Sequence, residues 1–174
     1  MEWTKIRHKL EHEYLAVSLR GRLTYFVTAY HKTHDGDEGR AALRLDGAEI
    51  LKSNYFDRMS AQWRHYYADP DDASGLSWYD SALAALHDGE FYQRDFYRAF
   101  GEFDNQPIKA SLHSENAIVR MFALLDRRTG KRTLEALREP MAHEPQWLQM
   151  IFFVRLEAEN MKLSRCRAHP DSTG

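Results

Sequence analysis

The dipeptide Asp46-Gly47 constrains the fold of this chain more than any other feature of its sequence. It follows residues 40–45, "RAALRL", in which apolar and polar side chains alternate. A two-residue type I′ turn needs positive φ at both central residues, which Asp and Gly tolerate, so residues 48–52 should return as a strand. Upstream, "RLTYFVTAY" also alternates and is rich in aromatic and β-branched residues. We therefore predict a three-stranded antiparallel meander.

Helical periodicity replaces strand periodicity on both sides of this meander. Before it, apolar residues from Trp3 to Val17 recur at spacings of three and four, the pattern of one helical face. After Asn54, which can cap a helix, helical patterns recur with short connections that favour antiparallel hairpins. The expected fold class is α+β: an N-terminal helix and three-stranded antiparallel meander, followed by a mostly α-helical array of antiparallel helix hairpins.

The predicted helices after Asn54 are bounded by caps, glycines and prolines. In the first of them, the apolar stripe that should face the core comprises Phe56, Met59, Trp63 and Tyr66 or Tyr67. The others are, in chain order, a helix from Ser77 to Gly89, an aromatic helix that ends before Pro107, a helix from Ser114 to near Gly130, a short helix before Pro140, and a last helix opened by Pro145.

The chain length of 174 residues suits one domain that needs no metal or disulfide to hold its core. We expect residues 1–53 to form the helix and small sheet, residues 54–163 to form the helical region packed with them, and residues 164–174 to form a disordered tail. The single cysteine, Cys166, lies in that tail, which favours a reducing, cytoplasmic compartment. No apolar run approaches the roughly 18 residues of a membrane span, so neither export nor insertion is expected.

Charge and composition favour a protein partner over a nucleic acid. The formal net charge of -2 argues against general nucleic-acid binding, which usually needs a net basic face. Aromatic residues make up 13% of the chain, and most of its basic residues are arginines. Both types are enriched in protein-protein hot spots, although the same residues also fill gaps between helices.

A run of basic residues surrounds Gly130 in "LLDRRTGKRTLEAL". A phosphate-binding P-loop needs a first glycine where Leu125 stands and a hydroxyl where Arg132 stands. The alternative is a corner between two helices, in which Arg127 and Arg128 lie at the negative end of the helix dipole and Gly130 adopts the left-handed C′ conformation. We predict the corner. The remaining alternative is an RNA contact made by Arg127, Arg128, Lys131 and Arg132.

The segment "HKLEH", from His8 to His12, matches the H-x-x-E-H signature of inverzincin metallopeptidases. Two histidines four residues apart share one helical face and can hold zinc together. That face lies roughly opposite the apolar stripe of the N-terminal helix, so both histidines should point to solvent. We therefore predict no catalytic zinc site here.

The loop "HKTHDGDEG" concentrates several groups that can bind a metal or act as an acid or base. Its D-x-D start resembles a calcium loop, but further oxygen ligands, the sixth-position glycine and the terminal glutamate of an EF-hand are missing. We predict a solvated loop between strands. The alternative is a hydrolase-type enzyme whose best local candidates are His31, His34, Asp35 and Glu38.

The helix "YFDRMSAQWRHYY" combines arginine with aromatic residues. Its Trp63 belongs to the stripe predicted to face the core, whereas Arg58 and His65 lie nearer the polar side. Core packing and the binding of a protein partner are both compatible with this composition. The acidic segment "ADPDDASG" that follows would repel a nucleic-acid backbone, which disfavours base stacking on this helix.

Four stretches together resemble a family of small uncharacterised bacterial cytosolic proteins. They are "WTKIRHKLEHEYLAVSLRGRLTYFVTAY", "GRAALRLDGAEI", "ALLDRRTGKRTL" and "EPQWLQMIFFVRLEAE". The resemblance extends from Trp3 to about Met161. It implies a bacterial origin and brings no activity or catalytic residues with it.

These patterns predict a cytoplasmic, non-catalytic protein-binding module of the adaptor or toxin-immunity type. No catalytic signature is complete, and no metal or cofactor is predicted. A hydrolase-type enzyme with a His/carboxylate site and an RNA-binding protein stay open as alternatives. Another protein is the expected partner, nucleic acid is the less favoured one, and a membrane is not expected. The predicted binding residues are Arg58, Arg64, Tyr66, Tyr67, Arg127, Arg128, Lys131 and Arg132.

Overall fold

Helical segments precede a three-stranded sheet, and a helical array follows it, which confirms the predicted α+β class. The computed structural model describes residues 2–30, 38–67 and 76–162. The strands are β1 (Leu23–Ala29), β2 (Gly39–Leu45) and β3 (Ala48–Asn54). The α-helices are α1 (Trp3–His8), α2 (Tyr55–Tyr66), α3 (Trp78–His87), α4 (Gln93–Asp104), α5 (Ile108–Ser111), α6 (Ala117–Leu125), α7 (Lys131–Ala136), α8 (Arg138–Met141) and α9 (Gln146–Ala158). The predicted disordered tail, residues 164–174, lies outside the described residues.

The sheet is the predicted antiparallel meander, with strand order β1-β2-β3. Asp46 and Gly47 have φ values of 50° and 86°, so both meet the type I′ requirement on which the hairpin prediction depends. The third strand continues two residues beyond the predicted end, to Asn54. On the inner face, Tyr25 and Leu43 pair across β1 and β2 and are buried.

The prediction of one continuous N-terminal helix is wrong. After α1, residues Lys9–Tyr14 form a π-helix, and Val17–Leu19 form a 3₁₀ turn. The wider i→i+5 turn ends with the Leu15 amide bonded to the Leu10 carbonyl, and it brings Leu15 into an antiparallel bridge with Asp126. Because of this change in phase, Val17 is 71% exposed instead of facing the core.

One hydrophobic cluster joins the sheet to the helices. Ile6 of α1 and Leu43 of β2 belong to the same buried cluster as Phe96 of α4, Phe122 of α6 and Leu156 of α9. Phe122 lies at the centre of edge-on ring contacts, with Phe96 at 5.6 Å between ring centroids. Full burial of such side chains contributes about 1.5–3 kcal/mol each, so this cluster is the main source of stability.

Several predicted helix boundaries are confirmed. The Asn54 side chain accepts from the Phe56 amide at 2.9 Å, and the Ser77 hydroxyl accepts from the Asp80 amide at 3.0 Å, as N-caps do. Gly89, with φ of 89°, ends α3 in a Schellman arrangement in which the Glu90 amide donates to the Ala85 carbonyl.

Other boundaries differ from prediction. Helix α6 is capped by Asn116 rather than Ser114, and it ends at Leu125, well before Gly130. Pro145 is the N-cap of α9 and not its first residue. The single-turn helices α5 and α8 are not predicted, and α8 includes Pro140, which stands in the first turn where a proline needs no amide. Within residues 2–30, 38–67 and 76–162, no helix has both the length and the apolar character needed to span a membrane.

Candidate functional site

Helix α2 packs on the rest of the protein through polar side chains. Arg58 and Gln62 are 2% and 4% exposed. Arg58 Nε lies 3.2 Å from Asp95 Oδ2 of α4, and Arg58 Nη1 donates to Gln62 Oε1 at 2.8 Å. Gln62 Nε2 in turn donates to the Trp78 carbonyl at 2.8 Å. A chain of polar contacts therefore connects α2 to both α3 and α4.

This orientation reverses the predicted one. Phe56, Trp63 and Tyr67 of the stripe expected in the core are 57%, 44% and 63% exposed. Arg58, expected nearer the polar side, is buried instead. Ala61 also lies on the buried side of α2, at 0% exposure. Its side chain is only a methyl group, so it leaves room for close packing there. A buried ion pair with its hydrogen bonds has taken the place of apolar packing.

The outward side of α2 carries a cluster of mutually packed rings. Trp63 stacks on Tyr67 with ring centroids 5.2 Å apart, and it meets Trp78 of α3 edge-on at 4.8 Å. Tyr66 meets Trp78 at 5.5 Å and Tyr67 at 5.0 Å. We call Trp63, Tyr66, Tyr67 and Trp78 the aromatic surface. Ring-on-ring packing holds these side chains in place while 39–63% of each is exposed.

Further exposed residues border the aromatic surface. Leu76 and Tyr79 at the start of α3 are 44% and 65% exposed, and Arg64 of α2 is exposed as well. His65 Nε2 lies 2.6 Å from Asp88 Oδ2, a side-chain contact that ties the end of α2 to the end of α3. Of the predicted partner-binding residues on this helix, Arg64, Tyr66 and Tyr67 are therefore accessible and Arg58 is not.

Asp95 is the buried partner that holds α2 in this orientation. Its Oδ2 also accepts the Tyr92 amide at 3.1 Å, as in a capping box at the start of α4. Burial raises the pKa of the Asp95 carboxyl above its usual range, and Arg58 opposes that shift. The guanidinium thus partly offsets the cost of placing this carboxyl group at a site with almost no solvent.

The residues around Gly130 form a structural corner, as predicted. Asp126 is 1% exposed and accepts from Arg128 Nη2 at 2.7 Å and from the Arg128 amide at 2.6 Å. The Thr129 hydroxyl donates to the Ala123 carbonyl at 2.6 Å. The predicted conformation of Gly130 is wrong: its φ is -76°, and it is the N-cap of α7 instead of a left-handed C′ residue. The predicted position of Arg127 and Arg128 in the last helical turn is also wrong, because α6 ends at Leu125 and both arginines lie in the turn that follows. The acidic side chain of Asp126, not the glycine, makes the turn.

Arg155 of α9 secures this corner from inside. It is 3% exposed, and its Nε and Nη2 donate to the carbonyls of Leu124 and Thr129 at 3.2 and 3.1 Å. Its Nη1 donates to the Ser18 hydroxyl at 3.1 Å and also to Glu159. Sequence reasoning missed Arg155, although a single arginine within the apolar run "QMIFFVRLEA" was a usable signal for a buried, paired charge.

The four basic residues of the corner lie in different environments and do not form one cationic cluster. Arg127 and Arg132 are exposed, Arg128 is paired with Asp126, and Lys131 Nζ donates to the Glu159 carbonyl at 2.9 Å. Arg128 and Arg132 line a groove of about 470 Å³ between α5 and α7, which we call the basic groove. Its other lining residues are Ile108, Lys109, Leu112, His113, Thr129, Thr133, Ala136, Leu137 and Pro140.

The "HKLEH" segment has structural contacts. His8 and His12 are exposed, as predicted, with ring centroids 4.8 Å apart. Glu11 turns inward, and its Oε1 accepts the Tyr25 amide of β1 at 2.8 Å. The carboxylate that a metallopeptidase would use as a base is therefore occupied by the free edge of the sheet.

The "HKTHDGDEG" loop is largely outside the described residues. His31, His34, Asp35 and Asp37 all fall in the undescribed range 31–37. Glu38 is described, and its carbonyl accepts the Tyr30 amide at 2.7 Å, which extends the β1–β2 ladder. The described part of the chain holds no cluster of three metal-capable side chains. The hydrolase alternative stays a prediction.

A polar cluster missed from the sequence joins the π-helix to α4. Tyr14 donates through its hydroxyl to Asp104, and Lys9 Nζ donates to the same carboxylate at 3.0 Å. Burial and this hydrogen bond raise the pKa of Tyr14 to about 12. Burial alone would raise the pKa of Asp104, but the bonds from Tyr14 and Lys9 outweigh it, so the pKa is lowered. Arg128 lies over the Tyr14 ring at 4.9 Å, so the cluster also contacts the corner.

Comparison with known proteins identifies a family and no function. No curated protein and no solved structure matches this chain. One family model matches residues 2–156, which covers nearly all of the described residues. This agrees with the resemblance to an uncharacterised family, whereas a bacterial origin stays a prediction. By this match, the chain belongs to the SF0329 protein family.

Proposed function

We propose that the protein is a cytoplasmic bacterial protein-binding module, of the adaptor or toxin-immunity type, whose partner docks on the aromatic surface. The observation that carries the proposal is the orientation of α2, with Arg58 buried and Trp63 exposed. A chain that folds alone gains more by burying tryptophan than by burying arginine. The reversed arrangement is favourable where a partner covers the rings, since contiguous exposed apolar patches mark interaction sites.

The aromatic surface has the composition and order of a binding hot spot. Tryptophan, tyrosine and arginine dominate such sites, and Arg64 adjoins the four rings. The contacts of Trp63 with Tyr66, Tyr67 and Trp78 order the rings before binding. Little side-chain freedom is then lost on association, which favours affinity.

The charges that follow α2 in the sequence indicate the chemistry of the partner. The faces of tryptophan and tyrosine attract cations. In sequence, the eleven residues that join α2 to α3 include Asp69, Asp71 and Asp72. A protein surface that offers apolar and basic side chains therefore suits this site, and a nucleic-acid backbone does not.

The test is affinity capture from the native host with the wild-type chain and with the Trp63→Ala/Tyr67→Ala variant, followed by binding of the purified partner. We expect one protein near one-to-one stoichiometry, and at least a tenfold weaker dissociation constant for the variant. The matched control is Phe153→Ala, which removes a 41% exposed ring from α9, outside the aromatic surface.

The control variant should bind as the wild type does. Equal affinity of all three chains would remove the proposal, as would the absence of any stoichiometric partner across growth conditions. Thermal unfolding of the double variant serves as the folding check, since Trp63 and Tyr67 are 44% and 63% exposed and lie outside the buried core.

A further inference from the structure

The basic groove combines an apolar floor with a cationic rim. The floor consists of Ile108 and Leu112 from the α5 side and of Ala136, Leu137 and Pro140 from the α7–α8 side. The cations of the rim are Lys109, Arg128 and Arg132, and His113 lies beside them. None of the eleven lining residues is acidic. Such a separation of apolar floor and charged rim suits a ligand that is itself amphipathic.

Two of the rim cations, Lys109 and Arg132, are available to a ligand. Arg128 is not, because Asp126 binds its guanidinium and fixes its position. Within the described part of the chain, neither Lys109 nor Arg132 has an ion-pair partner, and both are exposed. A protein with a formal net charge of -2 thus keeps two unpaired cations on the same groove. Charge complementarity favours a carboxylate-bearing ligand.

A second, smaller cavity adjoins the groove. It has a volume of about 50 Å³ and shares Leu112, His113, Leu137 and Pro140 with the groove lining. It continues inward toward Leu148 of α9. An apolar side chain that lies on the groove floor would therefore have room at one end to seat more deeply.

We propose that the basic groove binds an acidic peptide segment of another protein, with an apolar side chain on the floor and carboxylates on Lys109 and Arg132. An RNA backbone would use the rim but gain nothing from five apolar floor residues. It would also use Arg127, which is exposed on the same corner but does not line the groove. The groove shares no residue with the aromatic surface, so this proposal does not depend on the proposed function.

The experiment is selection from a random peptide display library against the full chain, followed by fluorescence anisotropy of the enriched peptides. We expect the peptides to carry Asp or Glu next to a large apolar residue. Their affinity should fall at least tenfold in Lys109→Glu/Arg132→Glu and should weaken with added salt. In a nuclear magnetic resonance titration, amides of residues 108–113 and 129–139 should shift on binding.

The matched control is Arg20→Glu/Arg127→Glu, which changes the net charge equally at two exposed positions outside the groove. It should bind within twofold of the wild type. An equal loss in both charge variants would overturn the proposal in favour of general electrostatic or RNA binding. So would enriched peptides that lack acidic residues, or a library that yields no enrichment.

Loss of binding in the Trp63→Ala/Tyr67→Ala variant would place the peptides on the aromatic surface. That result would overturn the groove proposal and leave the proposed function intact. Conversely, groove binding that survives in this variant, together with no effect of the variant on the captured partner, would overturn the proposed function alone.

Discussion

Arg58 Nε lies 3.2 Å from Asp95 Oδ2, and each of the two side chains is only 3% exposed. Arg58 Nε makes no well-aligned hydrogen bond in addition, so this contact is an ion pair more than a directional bond. The pair lies between α2 and α4 and determines which side of α2 faces solvent. The aromatic surface therefore depends on a contact that is buried inside the protein.

Replacing Asp95 by Ala should lower the free energy of unfolding by about 3–5 kcal/mol, because it leaves a buried guanidinium without its counter-ion. Urea denaturation followed by circular dichroism measures the loss. The variant Arg58→Met/Asp95→Leu should recover most of it, since both charges are then absent. For comparison, Asp88→Ala breaks the exposed pair with His65 and should cost less than about 1 kcal/mol. Similar losses for Asp95→Ala and Asp88→Ala would contradict a buried, stabilising pair.

Tyr14 should make the protein sensitive to alkaline pH. Its pKa is raised to about 12 in the folded state against 10.0 as the ordinary value, so the folded state keeps a proton that the unfolded state releases. Its stabilising contribution is complete below pH 10 and is lost as pH rises toward 12. Tyr14→Phe should flatten the decline of unfolding free energy over this range. Burial also raises the pKa of Tyr25, so the flattening is partial.

The pH series is measured by urea denaturation between pH 8 and pH 11.5 on both chains. An equally steep decline in wild type and Tyr14→Phe would show that the Tyr14–Asp104 bond does not persist in solution. Tyr79→Phe is the matched control, because it removes a hydroxyl from a ring that is 65% exposed, and it should leave the decline unchanged.

Replacing Gly130 by Ser should stabilise the protein by roughly 0.3 kcal/mol, because serine is the better N-cap. A Cβ atom at this position would meet no atom within 4 Å. A left-handed Gly130 would instead make the same change cost about 1 kcal/mol. Gly89→Ala supplies the contrast, since Gly89 has φ of 89° and its Cβ would lie 3.0 Å from Trp147 Cδ1. We expect Gly89→Ala to lose more than about 1 kcal/mol in thermal unfolding.

Arg155→Lys should destabilise the protein by about 3 kcal/mol, since an ammonium cannot reproduce the planar fork that reaches two carbonyls at once. Denaturant unfolding measures the change. The exposed Arg127→Lys variant, in the same corner, should stay within about 0.5 kcal/mol of the wild type. Indistinguishable midpoints for the two variants would show that Arg155 does not hold the corner.

The strands and most helices follow from the sequence because their signals are local. Asp46-Gly47 and the alternation beside it depend only on backbone φ and on side-chain period, and both are confirmed. Asn54 and Ser77 act as caps through atoms two or three residues away. Such features need no knowledge of the rest of the fold.

The orientation of α2 could not be read in the same way. The hydrophobic-stripe rule assumes that the apolar face of a helix is the buried one, and it therefore predicts that Trp63 faces the core. The competing contact comes from Asp95, which is 37 residues beyond Arg58 and has no local signature as its partner. The π-helix has a similar origin, because Leu15 bridges Asp126 far along the chain and shifts the helical phase after His8.

The candidate sites show the same difference between local signals, which the sequence reveals, and contacts between distant residues, which it does not. Tyr66, Tyr67 and Arg64 are accessible at the positions predicted for a partner, although the helix is turned around. Trp78 joins them only through the packing of α3 on α2. The corner arginines were grouped by their closeness in sequence, but the groove selects Arg128 and Arg132 and adds Lys109 from another helix.

The bond from the Ser18 hydroxyl to Glu159 Oε1, at 2.7 Å, spans 141 positions of the chain. A ribosome that adds about 5–20 residues per second takes roughly 7–28 s to make that length. Throughout this interval the first turns lack Glu159, and the corner around Asp126, once it has been synthesised, still lacks Arg155. Helix α9 therefore completes the packing of the first segment, and the nascent chain gains the stability that these contacts provide only after α9 has been synthesised.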